Sequence, residues 1–292
     1  MNLPAYELFE ASCKQGLSVV RPLAEPARLR DDFGWNFGSA WPPSYEAFGR
    51  FRALIALQQA RSLRPRRVLE VAAGDGALCA CLAVDGIAAV ANDLRAASLQ
   101  EALACFKNAD SIGIAPGNLF DLDPAQTGRF DLVIACEVIE HVAHPDDFLR
   151  HLKALLLPNG RLLLTTPNGS YFHNRLPNLG EIDDLEKLES GQFKPDADGH
   201  LFAITPAELR TLAAQAALRV ETIDLFATPL LTGHCGLSRL RGRGIARQCY
   251  FFERWVQTLP WRLREKLSYS MTAVLAGDGP GLAQQSVEAS PT

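Results

Sequence analysis

Long hydrophobic runs are missing from this sequence of 292 residues. Stretches such as 152–157 and 161–166 fall far short of the roughly 18 apolar residues that a membrane-spanning helix needs, so nothing is expected to cross a bilayer. The start, Met1-Asn2-Leu3-Pro4 with Glu7 and Glu10 close behind, lacks the basic and apolar parts of a secretory signal, and a cytoplasmic location is expected. The seven cysteines (Cys13, Cys79, Cys81, Cys105, Cys136, Cys235 and Cys249) are scattered and never spaced as Cys-x-x-Cys. Their odd number and spacing argue against both a disulfide framework and a zinc ribbon. A basic excess is absent too: the net charge is −4, whereas a general nucleic-acid binder is usually basic, so no nucleic acid is expected as a partner. No internal repeat is visible.

What is present is the composition of a folded globular chain, 48% hydrophobic and 21% charged. The length suits one α/β core with insertions. Short β-branched or Leu-rich runs alternate with longer helical patterns, which is how parallel βαβ units read. Strands are expected at 67–71, 87–92, 111–115, 130–136, 161–166 and 218–226, with a seventh, closing strand at 269–276. Helices are expected at 77–84, 96–106 and 145–157. The last opens on Pro145, sets Asp146 and Asp147 against its dipole, and is stopped by Pro158-Asn159-Gly160. Thr205 and Glu208 form the two halves of a capping box for a helix running to about 217. The fold class is therefore α/β, a doubly wound, seven-stranded, mostly parallel sheet with helical insertions. Residues 1–60 read as a helical and aromatic segment, 61–282 as one domain with insertions at 169–199 and 227–268, and 283–292 as a disordered tail.

The first strand runs into Glu70-Val71-Ala72-Ala73-Gly74-Asp75-Gly76. Its two glycines allow a tight turn and a close approach to a ligand at the C-terminal edge of the sheet. Alone, such a loop is as often a mere strand-to-helix turn. Asp93 supplies the context: it ends the second strand, about 20 residues on, where a carboxylate accepts both hydroxyl protons of a ribose. A nicotinamide dinucleotide would need a third glycine at Cys79, and the Glu70 carboxylate repels a pyrophosphate. A cofactor with a cationic sulfonium and an ammonium group fits better.

Farther on stands Phe130-Asp131-Leu132-Val133-Ile134-Ala135-Cys136-Glu137-Val138-Ile139-Glu140-His141-Val142, followed by His144-Pro145. This block resembles the strand-four segment of the ubiquinone O-methyltransferase-like branch of class I S-adenosylmethionine-dependent methyltransferases, where Phe-Asp-x-Val leads into Glu-x-x-Glu-His-Val. The glycine loop resembles the same family's Glu/Asp-x-Gly-x-Gly-x-Gly, with Ala72 in place of its first glycine. Thr166-Pro167-Asn168 and His200-Leu201-Phe202-Ala203-Ile204-Thr205-Pro206 agree with it, so the resemblance spans roughly residues 60–226. It implies that Glu70, Ala72, Gly74 and Gly76 surround the methionyl part of S-adenosylmethionine and that Asp93 holds the ribose. It also implies that Asn118 and Leu119 lie near the adenine, with Cys136 and Glu137 beside the cofactor.

Glu137, Glu140 and His141 stand at i, i+3 and i+4, so a helical turn would gather them on one face. The trio is expected either to hold a divalent cation such as Mg²⁺, or to offer His141 as a general base, or only to satisfy backbone groups beneath the site. His200 is a further candidate. Between 239 and 268 eight Arg or Lys face two Glu, interleaved with Tyr250, Phe251, Phe252, Trp255 and Trp261. Such a stretch suits peripheral contact with an anionic membrane, a phosphate-bearing substrate, or an ordinary lid with a solvated basic face. The expected activity is O-methylation of a small-molecule, glycan or lipid-like hydroxyl. Protein or RNA methylation and a cofactor-binding protein without turnover are the alternatives.

Overall fold

The computed structural model describes Leu3, Phe106 and residues 43–104, 109–192, 199–234 and 245–277. Seven strands form one sheet: β1 (Arg67–Val71), β2 (Ala88–Asp93), β3 (Ile112–Pro116), β4 (Phe130–Cys136), β5 (Leu156–Pro167), β6 (Leu218–Phe226) and β7 (Ser270–Gly277). Their order is β3-β2-β1-β4-β5-β7-β6, parallel except for β7, which runs antiparallel to both β5 and β6. The helices are α1 (Pro43–Ser62), α2 (Ala77–Val84), α3 (Ala96–Leu103), α4 (Pro124–Thr127), α5 (Pro145–Ala154), α6 (Pro206–Gln215), α7 (Pro229–Thr232), α8 (Ile245–Gln257) and α9 (Trp261–Leu267).

Central strands buried on both faces are expected to be largely apolar, as β4 is apart from Asp131 and β1 is apart from Arg67 at its start and Glu70 near its end. Alternate residues of these strands face different layers. Val68, Leu132 and Ile134 pack with α1, α2 and α3. Leu69, Val71, Val133 and Ala135 pack with α5 and α6. α2 is apolar all round, and Ala77 to Leu82 are all buried in it, as befits a helix covered on every side. α1 crosses the boundary expected at 60, and its Ala56, Leu57 and Ala60 belong to the same core as α2.

Strand order reverses between β1 and β4, because the chain winds outward to β3 and then returns to the centre. A crevice opens at such a switch point, outside the C-terminal ends of the two strands. The loops after β1, β2, β3 and β4 therefore converge there.

The capping box of α6 forms as expected: Glu208 N–H donates to Thr205 Oγ1 (3.2 Å) and Thr205 N–H to Glu208 Oε2 (2.7 Å). Two helices are shorter than expected. α3 ends at Leu103, and α5 ends at Ala154, with 156–160 already in β5. Pro158-Asn159-Gly160 thus forms no helix stop. It makes an irregularity inside β5, where Asn159 takes a φ of 66° and the register against β4 shifts between Phe130 and Leu132. A bulge tolerates the missing N–H of proline. The 227–268 insertion carries α7, α8 and α9, and the 169–199 insertion carries 3-10 turns at Leu179–Glu181 and Glu186–Gly191. Most of the leading segment expected at 1–60, the tail expected at 283–292, and Arg239, Arg241 and Arg243 lie outside the described residues. No helix among the described residues is long and apolar enough to cross a membrane.

Candidate functional site

The crevice holds a cavity of about 290 Å³, walled by the loops after β1, β2, β3 and β4, with Gly191 from the insertion after β5. Ala72 and Gly74 come from the first loop, Asp93 from the end of β2, Asn118 and Leu119 from the loop after β3, and Glu137 and His141 from the segment after β4. Seven of the residues expected to meet the cofactor or acceptor thus share one cleft. Glu70, Gly76 and Cys136 do not line it.

The first loop is built on left-handed backbone, with φ of 50° at Ala72, 60° at Gly74 and 68° at Gly76. At Ala72 this conformation costs roughly 1 kcal/mol that glycine would not incur. Ala72→Gly should therefore raise the unfolding free energy by up to about 1 kcal/mol in denaturant titrations, less whatever glycine adds to the freedom of the unfolded chain. A loss of stability would show that the alanine methyl packs usefully. Ala72 and Glu137 are two of the six non-glycine residues with positive φ among those described, and both stand on the cleft wall, where backbone strain commonly collects.

Asp93 ties two loops together. Its Oδ2 accepts Gly74 N–H at 2.9 Å and its Oδ1 accepts Arg95 N–H at 2.8 Å. A carboxylate oxygen has two lone pairs, so each still has capacity for a ligand hydroxyl. Neighbouring Asn92 is buried, and its Nδ2 donates to the carbonyls of Ala115 (2.8 Å) and Gly117 (2.9 Å), fixing the end of β2 to the loop after β3. Asn118 spends its Oδ1 on Phe120 N–H (3.1 Å), which starts the next turn.

Glu70 sits below the loop rather than in the wall. Its Oε2 accepts Cys79 N–H at 3.2 Å within the first turn of α2. Burial first, then the neighbouring Asp75 and Asp93, push its carboxyl up to about 8 despite that hydrogen bond. Cys136 ends β4, and burial pushes its thiol up to about 12, so it is neutral and inert near pH 7.

Glu137, Glu140 and His141 do not share a helical face. Only Ile139–His141 form a turn, of 3-10 type, and Glu137 precedes it with a φ of 55°. That backbone turns Glu137 toward other partners: Arg52 of α1 at 2.7 Å from its Oε2, and Thr165 Oγ1 donating to its Oε1 at 2.9 Å. Glu140 and His141 instead meet His200, which enters from beyond the insertion after β5. One donor atom from each of these three lies within 4.8 Å of the others. Glu140 is fully buried. Its Oε2 accepts Thr166 Oγ1 at 3.1 Å, while its Oε1 has no hydrogen-bond partner among the described residues and lies 3.9 Å from His200 Nε2. Burial, reinforced by Glu137, holds its carboxyl well above the usual range. Burial and then His141 hold the His200 imidazole below its usual value. His141 Nδ1 lies 3.2 Å from Gly199 O. A carbonyl only accepts, so a hydrogen bond here is donated by Nδ1–H, and a neutral ring then has its lone pair on Nε2.

Arg52 and Asn92 carried no signal in the sequence. The first lies on a helix outside the recognisable loops, and the second is one more small polar residue at a strand end.

The sequence matches the methyltransferase domain family over residues 45–223. It is 30% identical over 187 residues to a ubiquinone biosynthesis O-methyltransferase of Histophilus somni (strain 2336), covering 62% of this chain and 76% of that protein. It is 30% identical over 185 residues to one of Bordetella pertussis, covering 63% of this chain and 74% of that protein. Among solved structures, the cyclase SpnF superposes with a TM-score of 0.52 at 14% identity, over 79% of this chain and 82% of that one. At that identity the likeness concerns the fold alone.

Proposed function

Because the chain belongs to the methyltransferase domain family and uses S-adenosylmethionine as its cofactor, we propose that it methylates the hydroxyl of a small molecule, whether a metabolite, a glycan or a lipid-like compound. The observation that carries this reading is His141, an imidazole whose Nδ1 faces Gly199 O, in the wall of the same cleft as Asp93 and the glycine loop. The relatives named as O-methyltransferases support it.

When bound, S-adenosylmethionine supplies a methyl carbon made electrophilic by the sulfonium it is attached to. The protein's part is mainly alignment. Asp93 holds the ribose hydroxyls with the lone pairs left over from Gly74 and Arg95. His141 Nε2 would take the proton of the acceptor hydroxyl and hold it as the imidazolium. Glu137, held by Arg52 and Thr165, positions the turn that carries His141 and does not itself receive the proton. Asp93→Ala should weaken binding of S-adenosylhomocysteine by about 1–3 kcal/mol in titration calorimetry, the range for a charge-assisted hydrogen bond. Unchanged affinity would remove Asp93 from the ribose site.

The unpartnered Glu140 Oε1 beside two imidazoles also fits a divalent cation. One carboxylate and two histidines suit Mn²⁺, Fe²⁺ or Zn²⁺ better than the Mg²⁺ expected from the sequence, which prefers oxygen ligands. A cation there would be held by Glu140, His141 and His200, and His141, its lone pair spent on the metal, would then not be the base. A metal-dependent rise in melting temperature that His200→Ala removes is the expected result. No shift with any of these ions would leave the three side chains as a hydrogen-bonded support.

We place the reaction in the cytoplasm, a reading supported by Cys79, Cys81, Cys136 and Cys249, which among the described residues are thiols and not disulfides. The function is tested by incubating the protein with methyl-labelled S-adenosylmethionine and a panel of hydroxylated metabolites, glycans and lipids. Label transferred to an oxygen is expected. Binding of S-adenosylhomocysteine without any transfer would make this a cofactor-binding protein, and label on protein or RNA would redirect the substrate class.

A further inference from the structure

The geometry points to a docking face for anionic phospholipid membranes on α8 and α9, a property independent of the methyl-transfer reading. α8 is two-sided. Cys249, Tyr250, Glu253 and Val256 are buried against the fold. On the solvent side, Arg247, Phe251, Arg254 and Trp255 follow one another at i, i+4, i+7 and i+8, the spacing of one helical face. An ordinary solvated face would be polar, yet Phe251 is 52% exposed and Trp255 53%. α9 adds Trp261 at 37% and Leu263 at 51%, which at i and i+2 stand on different sides of that short helix. Phe172, 52% exposed, adjoins them through its N–H to Lys266 O at 3.0 Å. Large exposed side chains are ordinary when scattered, and Phe251 and Trp255 on one face of α8, with Trp261 on the helix that follows, mark an interaction surface.

Charge decides what covers it. Arg247, Arg254, Arg262 and Lys266 are exposed among these aromatics. The two acids of the segment are withdrawn: Glu253 is fully buried and accepts the N–H groups of Ala227 (2.8 Å) and Thr228 (2.9 Å), and Glu265 is half-buried and accepts Ser170 Oγ (2.7 Å). The exposed face is thus cationic and aromatic, with no exposed carboxylate between 245 and 267. Trp, Phe and Leu beside Arg and Lys are the side chains that settle at the headgroup level of an anionic bilayer. A nucleic acid suits the surface less well, because the chain outside 239–268 carries about ten net negative charges that would repel a long polyanion. A bilayer touches one face only.

The face is also anchored where docking is useful. Asn168, just beyond β5, donates through Nδ2 to Glu265 O (2.7 Å) and Ser268 O (2.8 Å), so the end of α9 is fastened to the same edge of the sheet as the cofactor cleft.

Flotation of the full-length protein with vesicles tests this. It should rise with vesicles of phosphatidylcholine and phosphatidylglycerol in equal parts and stay behind with phosphatidylcholine alone. The double variant Phe251→Ser, Trp255→Ser and, separately, Arg254→Glu, Arg262→Glu should each lower the bound fraction roughly tenfold. Both should keep wild-type affinity for S-adenosylhomocysteine, which confirms that they fold. Three results would overturn the proposal: no capture by the acidic vesicles, capture that the variants leave unchanged, or displacement of the protein from vesicles by an RNA oligomer that binds through the same residues. A dimer that dissolves on Trp255→Ser would also overturn it, by assigning the face to a second copy.

Discussion

Ligand-free Glu70→Gln protein is expected to be far more stable than wild type at pH 8 and no more stable at pH 4. In the folded chain the Glu70 carboxyl titrates near 8, against 4.5 for an unperturbed glutamate, because burial beneath α2 penalises its charge. Below pH 4.5 the group is protonated whether the chain is folded or not, and it contributes nothing to the pH dependence. Between 4.5 and 8 the unfolded chain ionises while the folded one keeps its proton. Folded stability therefore falls as pH rises through this window, by about 1.4 kcal/mol per unit and on the order of 5 kcal/mol in all. Glutamine has no proton to lose, and its amide oxygen can still accept Cys79 N–H. Denaturant titrations of both proteins at intervals from pH 4 to 9 check this, and parallel curves would refute it. The same substitution should work against function. A cationic cofactor favours ionised Glu70, so calorimetry in buffers of different ionisation enthalpy should show wild type releasing a proton on binding S-adenosylmethionine near pH 7, with a smaller release and weaker binding in the variant.

A proton release of that kind would account for a residue that destabilises the fold standing near the end of β1. It also shows what could be read from the chain. The turn at Gly74 and Gly76 and the place of Asp93 at the end of β2 were legible because they are local matters of turn geometry and strand ends, whereas Glu70, read as lining the cofactor, lies beneath the loop. The capping box at Thr205 and Glu208 was legible for the same reason. What failed was inference from helical spacing where no helix forms. Glu137, Glu140 and His141 look like one face of a turn, but the left-handed backbone at Glu137 breaks that face. Its actual partner is Arg52, 85 positions earlier in the chain, and His200 joins Glu140 from 60 positions later. Pairings of that span are created by the order of strands, which no local pattern encodes. Pro158-Asn159-Gly160 misled in the opposite way: turn residues mark a departure from regular backbone, and a bulge within β5 satisfies them as well as a helix end does.

Gly76→Ala should be the most damaging small substitution in the cofactor loop, and Gly74→Ala a mild one. Both glycines have positive φ, 60° at Gly74 and 68° at Gly76, so each alanine incurs roughly 1 kcal/mol of backbone strain. Their surroundings then separate them. A methyl on Gly74 meets no heavy atom within 4 Å. A methyl on Gly76 runs into the end of Leu103, comes to 3.0 Å from its Cγ and to 3.2 Å from Leu99 Cδ1. Side-chain ends usually yield, but Leu99 and Leu103 are 0% and 2% exposed and packed in the core that joins α2 and α3 to the sheet, so neither has space to move into. Overpacking adds roughly 1–3 kcal/mol to the strain, giving about 2–4 kcal/mol for Gly76→Ala against about 1 for Gly74→Ala. Gly76 also precedes the first residue of α2, the helix whose Cys79 N–H meets Glu70, so its displacement should weaken S-adenosylhomocysteine binding although Gly76 itself lies outside the cleft wall. Chemical denaturation and calorimetry on both variants measure the two effects. Equal losses of stability would show that the loop is limited by its backbone conformation alone and that the packing of Leu99 and Leu103 against it is slack.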